Sequence, residues 1–213
     1  MPESSALAHH FEDLEQQHEA STLGMWAFLI TEVLFFGGLF AAYAVYRFSY
    51  PEAFVHGSSH LDIRLGAINT VILIGSSLTM VMAVHAAQHG RNGAIAAWIL
   101  ATMLLGTAFL GIKAVEYSHK YHESLIPGPN FAFEGVPGGH EQLFFACYFA
   151  MTGMHAFHMI IGMGLMVWLL ALCAKRRFTA EHHPAVEIFG LYWHFVDIVW
   201  IFLFPLLYLL GRH

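Results

Sequence analysis

Read for polar and apolar positions, the chain is a series of long oily runs separated by short polar breaks. Five runs stand out: about Thr22–Arg47, Arg64–Gln88, Gly93–Glu116, Glu141–Ala174 and Pro184–Leu210. Crossing a hydrocarbon layer ~30 Å thick takes about 20 mostly apolar helical residues, and each run has that length. The fourth is long enough to tilt or to project beyond the bilayer. The pattern predicts an all-α, polytopic membrane protein, a bundle of five transmembrane helices occupying residues 22–213. An acidic, histidine-bearing tail, residues 1–21, precedes it. The tail lacks the basic start and cleavage site of a secretory signal and the Arg-rich character of a transit peptide. The one sizeable loop runs from about Ser118 to His140. It contains PGPNFAFEGVPGG, whose prolines and glycines forbid a long helix. No segment is large enough for a soluble domain, and no internal repeat is visible.

Composition agrees. Hydrophobic residues make up 57% of the 213 and charged residues only 11%, against a usual ~25% charged in soluble domains. Mean hydropathy is +0.57. The net charge of −6 comes largely from the tail and loops, so no nucleic-acid partner is expected. Cys147 and Cys173 fall in the same predicted helix, ~39 Å apart at ~1.5 Å per residue. They can form neither a disulfide nor a shared metal site. The densest basic cluster, Lys175–Arg176–Arg177, lies between the fourth and fifth spans. The positive-inside rule puts it in the cytoplasm, with the N-terminus inside and the C-terminus outside. Arg47, Arg64 and Lys120 then fall outside and Arg91 inside, so the totals nearly balance.

Ionisable groups inside spans are costly and default to functional hypotheses. Glu32, in GMWAFLITEVLFFGG, reads either as a proton-handling or lipid-contacting carboxylate, or as a protonated acid bonded to a neighbouring helix. His155 and His158, in GMHAFHMIIGMG, share a helical face. They are a haem or metal pair, or two neutral imidazoles bonding to partner helices or to another subunit. A haem iron wants ligands on opposite faces, usually from two helices, which this spacing does not provide. His194 and Asp197, in YWHFVDIVWIFLF, also share a face. They are expected to bond each other as a polar clamp between helices, or to act as a proton relay. Lys113 and Glu116, at the end of span three, read as an interfacial ion pair with snorkelling side chains. Small residues, Gly37–Gly38, Gly75–Ser76–Ser77, Gly106, Gly111, Gly153, Gly162 and Gly164, would let backbones approach closely. The five tryptophans read as interfacial anchors or protein contacts. The chain has no phosphate loop, nucleophile elbow, HExxH or CxxC. No catalytic residue and no active site carried by this chain alone is expected.

Four stretches, in order and on the corresponding spans, resemble the cytochrome c oxidase subunit 3 family, subunit III of the haem–copper terminal oxidases: GMWAFLITEVLFF, GIKAVEYSH, TGMHAFHMIIG and YWHFVDIVWIFLF. The resemblance covers nearly everything from Thr22 onward. It implies a helical bundle docked beside subunit I in a bacterial cell membrane, with subunits II and IV in the same complex. It implies no metal or redox cofactor in this chain, haem and copper belonging to the partner subunits. The implied role is support: stabilising subunit I, holding structural phospholipids and sustaining proton uptake during oxygen reduction. Glu32 resembles the family's intramembrane glutamate, Glu116 the acid of its EY motif, His155 and His158 its paired histidines, and His194 with Asp197 its final-span pair. The family's long form has seven spans. The first two, which wall a lipid-filled cleft, are missing here, so that wall must come from another subunit or from lipid. The loop IPGPNFAFEGVPGG looks longer than in compact members and is a candidate contact for another subunit or an electron-donor complex. The Glu of ITEVLFF leans toward a cytochrome c oxidase. A quinol oxidase subunit or a nitric oxide reductase-associated homologue is the alternative. Two further classes remain: a stand-alone b-type cytochrome using His155, His158 and His194, and a proton-coupled transporter built around Glu32 and Asp197.

Overall fold

Asp13 begins the first helix. Its carboxylate accepts a hydrogen bond from the backbone N–H of Gln16 at 2.7 Å, capping α1, Leu14–Ser49. A computed structural model describes residues 13–134, 136, 137, 139–180 and 183–210 of the chain. After α1 come a short helix α2 (Pro51–Ser59), then α3 (Ile63–Gln88), α4 (Asn92–His122), α5 (Glu141–Ala174) and α6 (Pro184–Tyr208). Pro51 and Pro184 open their helices, where a missing N–H costs nothing. Asp62 caps α3 through Arg64 N and Leu65 N. Between α4 and α5, β1 (Ala132–Phe133) pairs antiparallel with β2 (Val136–Pro137).

The five long helices are the five predicted spans, each long and apolar enough to cross a membrane. The boundaries differ in instructive ways. α1 starts eight residues before Thr22, inside the stretch read as tail, because a capped polar turn extends the apolar run. Residues 1–12 of that tail lie outside the described residues. α4 continues past Glu116 to His122, since hydropathy marks where oil ends, not where helix ends. α2 and the two-residue hairpin had no counterpart in the hydropathy pattern.

α6 is the hub. It packs against α1, α2, α3 and α5, while α3 and α4 form a tight hairpin. That hairpin turns at Gly90, whose φ of +64° suits glycine and whose position would bring an added Cβ to 3.0 Å from the Ala180 backbone. Asn92, just beyond, donates to Phe178 O at 2.6 Å and accepts from Phe178 N at 3.3 Å, strapping this turn to the α5–α6 connection. At the opposite end, Tyr43 and Ser58 donate to Leu206 O and Leu207 O, each at 2.7 Å. The last carbonyls of a helix have no intrahelical donor, so these bonds fill a real vacancy.

α6 meets α3 through indoles and hydroxyls. Trp193 Nε1 donates to Ser76 Oγ at 3.2 Å and Trp200 Nε1 to Thr70 Oγ1 at 3.1 Å. Both tryptophans are fully buried, whereas Trp26 and Trp168 lie on the outside. The predicted close approaches divide the same way. A Cβ on Gly162 would stand 2.7 Å from the Trp193 ring, and one on Gly106 3.3 Å from it. Gly37, Gly38, Gly111 and Gly164 have nothing within 4 Å, so they are not packing positions within this chain. α1 is the least covered span: 11% of its most apolar stretch is buried, against 50% for α6.

Candidate functional site

Three separate sites gather most of the ionisable groups of the spans. The deepest centres on Lys113. Its ammonium donates to Glu116 Oε2 at 3.0 Å, Tyr148 OH at 3.0 Å and Tyr208 OH at 2.9 Å. Both tyrosines in turn donate to Glu116 Oε1, at 2.9 and 2.6 Å. The rings of Tyr117, Tyr148, Trp200 and Tyr208 surround the ammonium at 4.9–5.6 Å, an arrangement in which the ring faces attract the cation. This corrects the expectation of an interfacial, snorkelling pair: Lys113 and Glu116 are 4% and 3% exposed. Sequence reasoning missed Tyr148 and Tyr208. Their signal was available, since a phenol within an apolar span needs a partner for its hydroxyl.

The second site joins α1 to α5. Glu32 Oε2 lies 3.1 Å from His158 Nε2, and His158 Nδ1 lies 2.8 Å from Met154 O. A carbonyl oxygen only accepts, so Nδ1 must carry a proton. The contact between Nε2 and Oε2 therefore contains one shared proton. It sits either on a neutral carboxyl facing a neutral imidazole or on an imidazolium facing a carboxylate. Tyr192 OH donates to the His158 carbonyl at 2.8 Å, adding α6 to the junction. The pair lines a shallow, mainly apolar pocket of about 340 Å³ with Phe28, Phe35, Met154 and Phe157 among its walls.

His155, one turn away, does something different. It is buried between Phe109 and Trp200, with ring centroids at 5.4 and 5.3 Å. Neither of its nitrogens has a hydrogen-bond partner among the described residues. His158 thus bonds a neighbouring helix through Glu32, while His155 bonds no described residue of this chain. The two rings serve different neighbours and do not act as a pair.

The third site lies between α3 and α6. His194 Nδ1 bonds Ser77 Oγ at 2.7 Å. Asp197 does not bond His194, contrary to the expected clamp or relay. Ser77 stands near Asp197 as well, yet neither carboxyl oxygen meets a partner in bonding geometry. A spacing of three places two side chains on one face but does not aim them at each other. Here α3 offered His194 a closer partner. Among the described residues, no group of three or more His, Cys, Asp or Glu gathers as metal ligands would. Cys147 and Cys173 are both free thiols on α5.

The arrangement can thus stitch helices together and hold one proton between α1 and α5. Comparison with known proteins adds the context. The profile of the family "Cytochrome c oxidase subunit III" matches residues 3–212. The cytochrome bo(3) ubiquinol oxidase subunit 3 of Pseudomonas aeruginosa is 29% identical over 211 residues, 99% of this chain and 95% of that protein. The cytochrome c oxidase subunit 3 of Thermostichus vulcanus is 33% identical over 213 residues, 99% of this chain and 97% of that one. The quinol oxidase subunit 3 of Bacillus subtilis is 31% identical over 201 residues, covering 93% and 92%.

Proposed function

Because this chain belongs to the cytochrome c oxidase subunit III family, and so to an oxidase complex with other subunits, we propose that it is the non-redox core subunit of a respiratory haem–copper oxidase. It stabilises subunit I, holds phospholipids against its apolar outer face and supports proton uptake for oxygen reduction. Haem and copper reside in the partner subunits. The match over nearly the whole chain carries this reading. Relatives divide between ubiquinol or quinol oxidases and cytochrome c oxidases, and the proposed role is the same with either electron donor.

The finer assignment rests on Glu32 and His158. A single proton shared between two side chains, bordering a pocket open at the bundle's flank, suits a group that exchanges protons slowly or anchors a polar lipid atom. Glu116 is assigned a structural role, holding Lys113 and two tyrosines. His155 fills an aromatic site, and His194 with Asp197 belongs to a helix contact. The membrane is the bacterial cell membrane. Arg91, Lys175, Arg176 and Arg177 share one end of the bundle, taken as the cytoplasmic end together with the start of α1.

The test is purification from native membranes through a tag on this chain, followed by Glu32→Ala. A haem-bearing catalytic subunit is expected to co-purify. The variant complex is expected to keep its haem and its initial turnover but to lose activity progressively during turnover or deliver protons more slowly. Absence of any oxidase subunit from the purified material would reject the proposal.

A further inference from the structure

Asp197 is 4% exposed; Ser77 stands beside it, but among the described residues no donor meets either carboxyl oxygen in bonding geometry. Whether ionised or protonated, a carboxyl in that state leaves bonding capacity unused, which is costly for a buried group. The group sits thirteen residues after Pro184 and eleven before Tyr208, the ends of α6. At ~1.5 Å per residue it lies ~20 and ~17 Å from them, close to the middle of a ~30 Å hydrocarbon layer. The hydrocarbon at that depth supplies no hydrogen-bond donor.

Asp197 lines an outward-opening pocket of about 270 Å³ between α3 and α6, together with Ser77 and His194. The rim is apolar and uncovered: Ile74, Ile198 and Ile201 are 54%, 51% and 46% exposed, and Val71 and Leu78 continue the strip along α3. The α1–α5 flank carries an acid too, but there Glu32 is already bonded to His158. The α3–α6 pocket, by contrast, combines open apolar walls with an acid that no described residue bonds in good geometry.

We infer that the α3–α6 face is the seat of a transmembrane helix from another oxidase subunit, one that inserts a side-chain hydrogen-bond donor beside Asp197. This rests on the chain being an oxidase subunit. Acyl chains could cover the isoleucines but offer Asp197 nothing. A donor on a helix satisfies both, and interhelical polar bonds of this kind are worth about 0.6–2 kcal/mol in a membrane.

The test uses the full chain in its native membrane, with a benzophenone amino acid in place of Ile201 or Ile74 and a control probe at Leu34 on α1. Irradiation is expected to join the α3–α6 probes to one oxidase subunit, at a transmembrane segment bearing a donor side chain. Adducts with lipid only, or with a second copy of this chain, overturn the inference. So does capture of an oxidase subunit by the Leu34 probe alone, which leaves the oxidase assignment standing. If no tagged form co-purifies with any oxidase subunit, the assignment itself fails. In parallel, Asp197→Leu is expected to lower retention in the detergent-washed complex about three- to tenfold. Asp197→Asn, which keeps an acceptor, is expected to lower it less. Equal retention of the leucine variant, at normal membrane abundance, also overturns the inference.

Discussion

At the scale of single residues, Lys113 shows how a membrane interior tolerates charge. Its three donors are all used, and both oxygens of Glu116 are occupied. Removing one member of such a pair strands the other, which costs about 3–5 kcal/mol. Lys113→Met is therefore expected to destabilise the chain by that amount. The double variant Lys113→Met, Glu116→Leu is expected to recover much of it, as read from denaturation in mixed micelles. Glu32 and Glu116 are expected to differ in reactivity as well. An apolar carbodiimide attacks a protonated carboxyl it can reach. Glu32 is 18% exposed beside a pocket and Glu116 is 3% exposed and fully bonded. Mass spectrometry of treated membranes is expected to find the adduct on Glu32 and none on Glu116. The sequence named all six polar candidates, because an ionisable residue in an oily run is conspicuous. It named one partner, Lys113 for Glu116, and not the others. Glu32 meets His158 across 126 positions of chain and Ser77 meets His194 across 117, and no local pattern encodes such encounters.

At the scale of helices, the five spans were legible because hydrocarbon thickness imposes a length and a composition that few other structures satisfy. α2 was not, since nine residues with Pro51 at their head look like any loop in a hydropathy profile. The start of α1 was signalled by Asp13 and Gln16, an acid and an amide at capping spacing, once polar turns are counted as helix. Glycines could be named from sequence but not sorted into inward and outward. That sorting yields an opposed pair of outcomes. Gly162→Ala drives a Cβ into the Trp193 ring and is expected to cost about 1–3 kcal/mol. Gly164→Ala meets nothing and is expected to stabilise by up to ~1 kcal/mol through helix propensity. Unfolding of the isolated chain in detergent measures both.

At the scale of the whole molecule, the interior holds the indole and phenol bonds, while the outside is a nearly unbroken apolar coat with a long, sparsely covered α1. Such a bundle is complete as a scaffold and incomplete as a surface, which is what a subunit of a larger membrane assembly requires. The hub position of α6 has a consequence for biogenesis. α6 follows every other helix in the chain, so the ribosome makes it after them. Tyr43 reaches its acceptor, and the Trp193 and Trp200 indoles reach theirs on Ser76 and Thr70, only once α6 is in place. During synthesis the earlier helices must leave the translocon with the faces that α6 will cover still bare. An insertase or chaperone that shelters them would therefore act before α6 emerges, and a nascent chain stalled short of Pro184 would be the form most exposed to quality-control proteolysis.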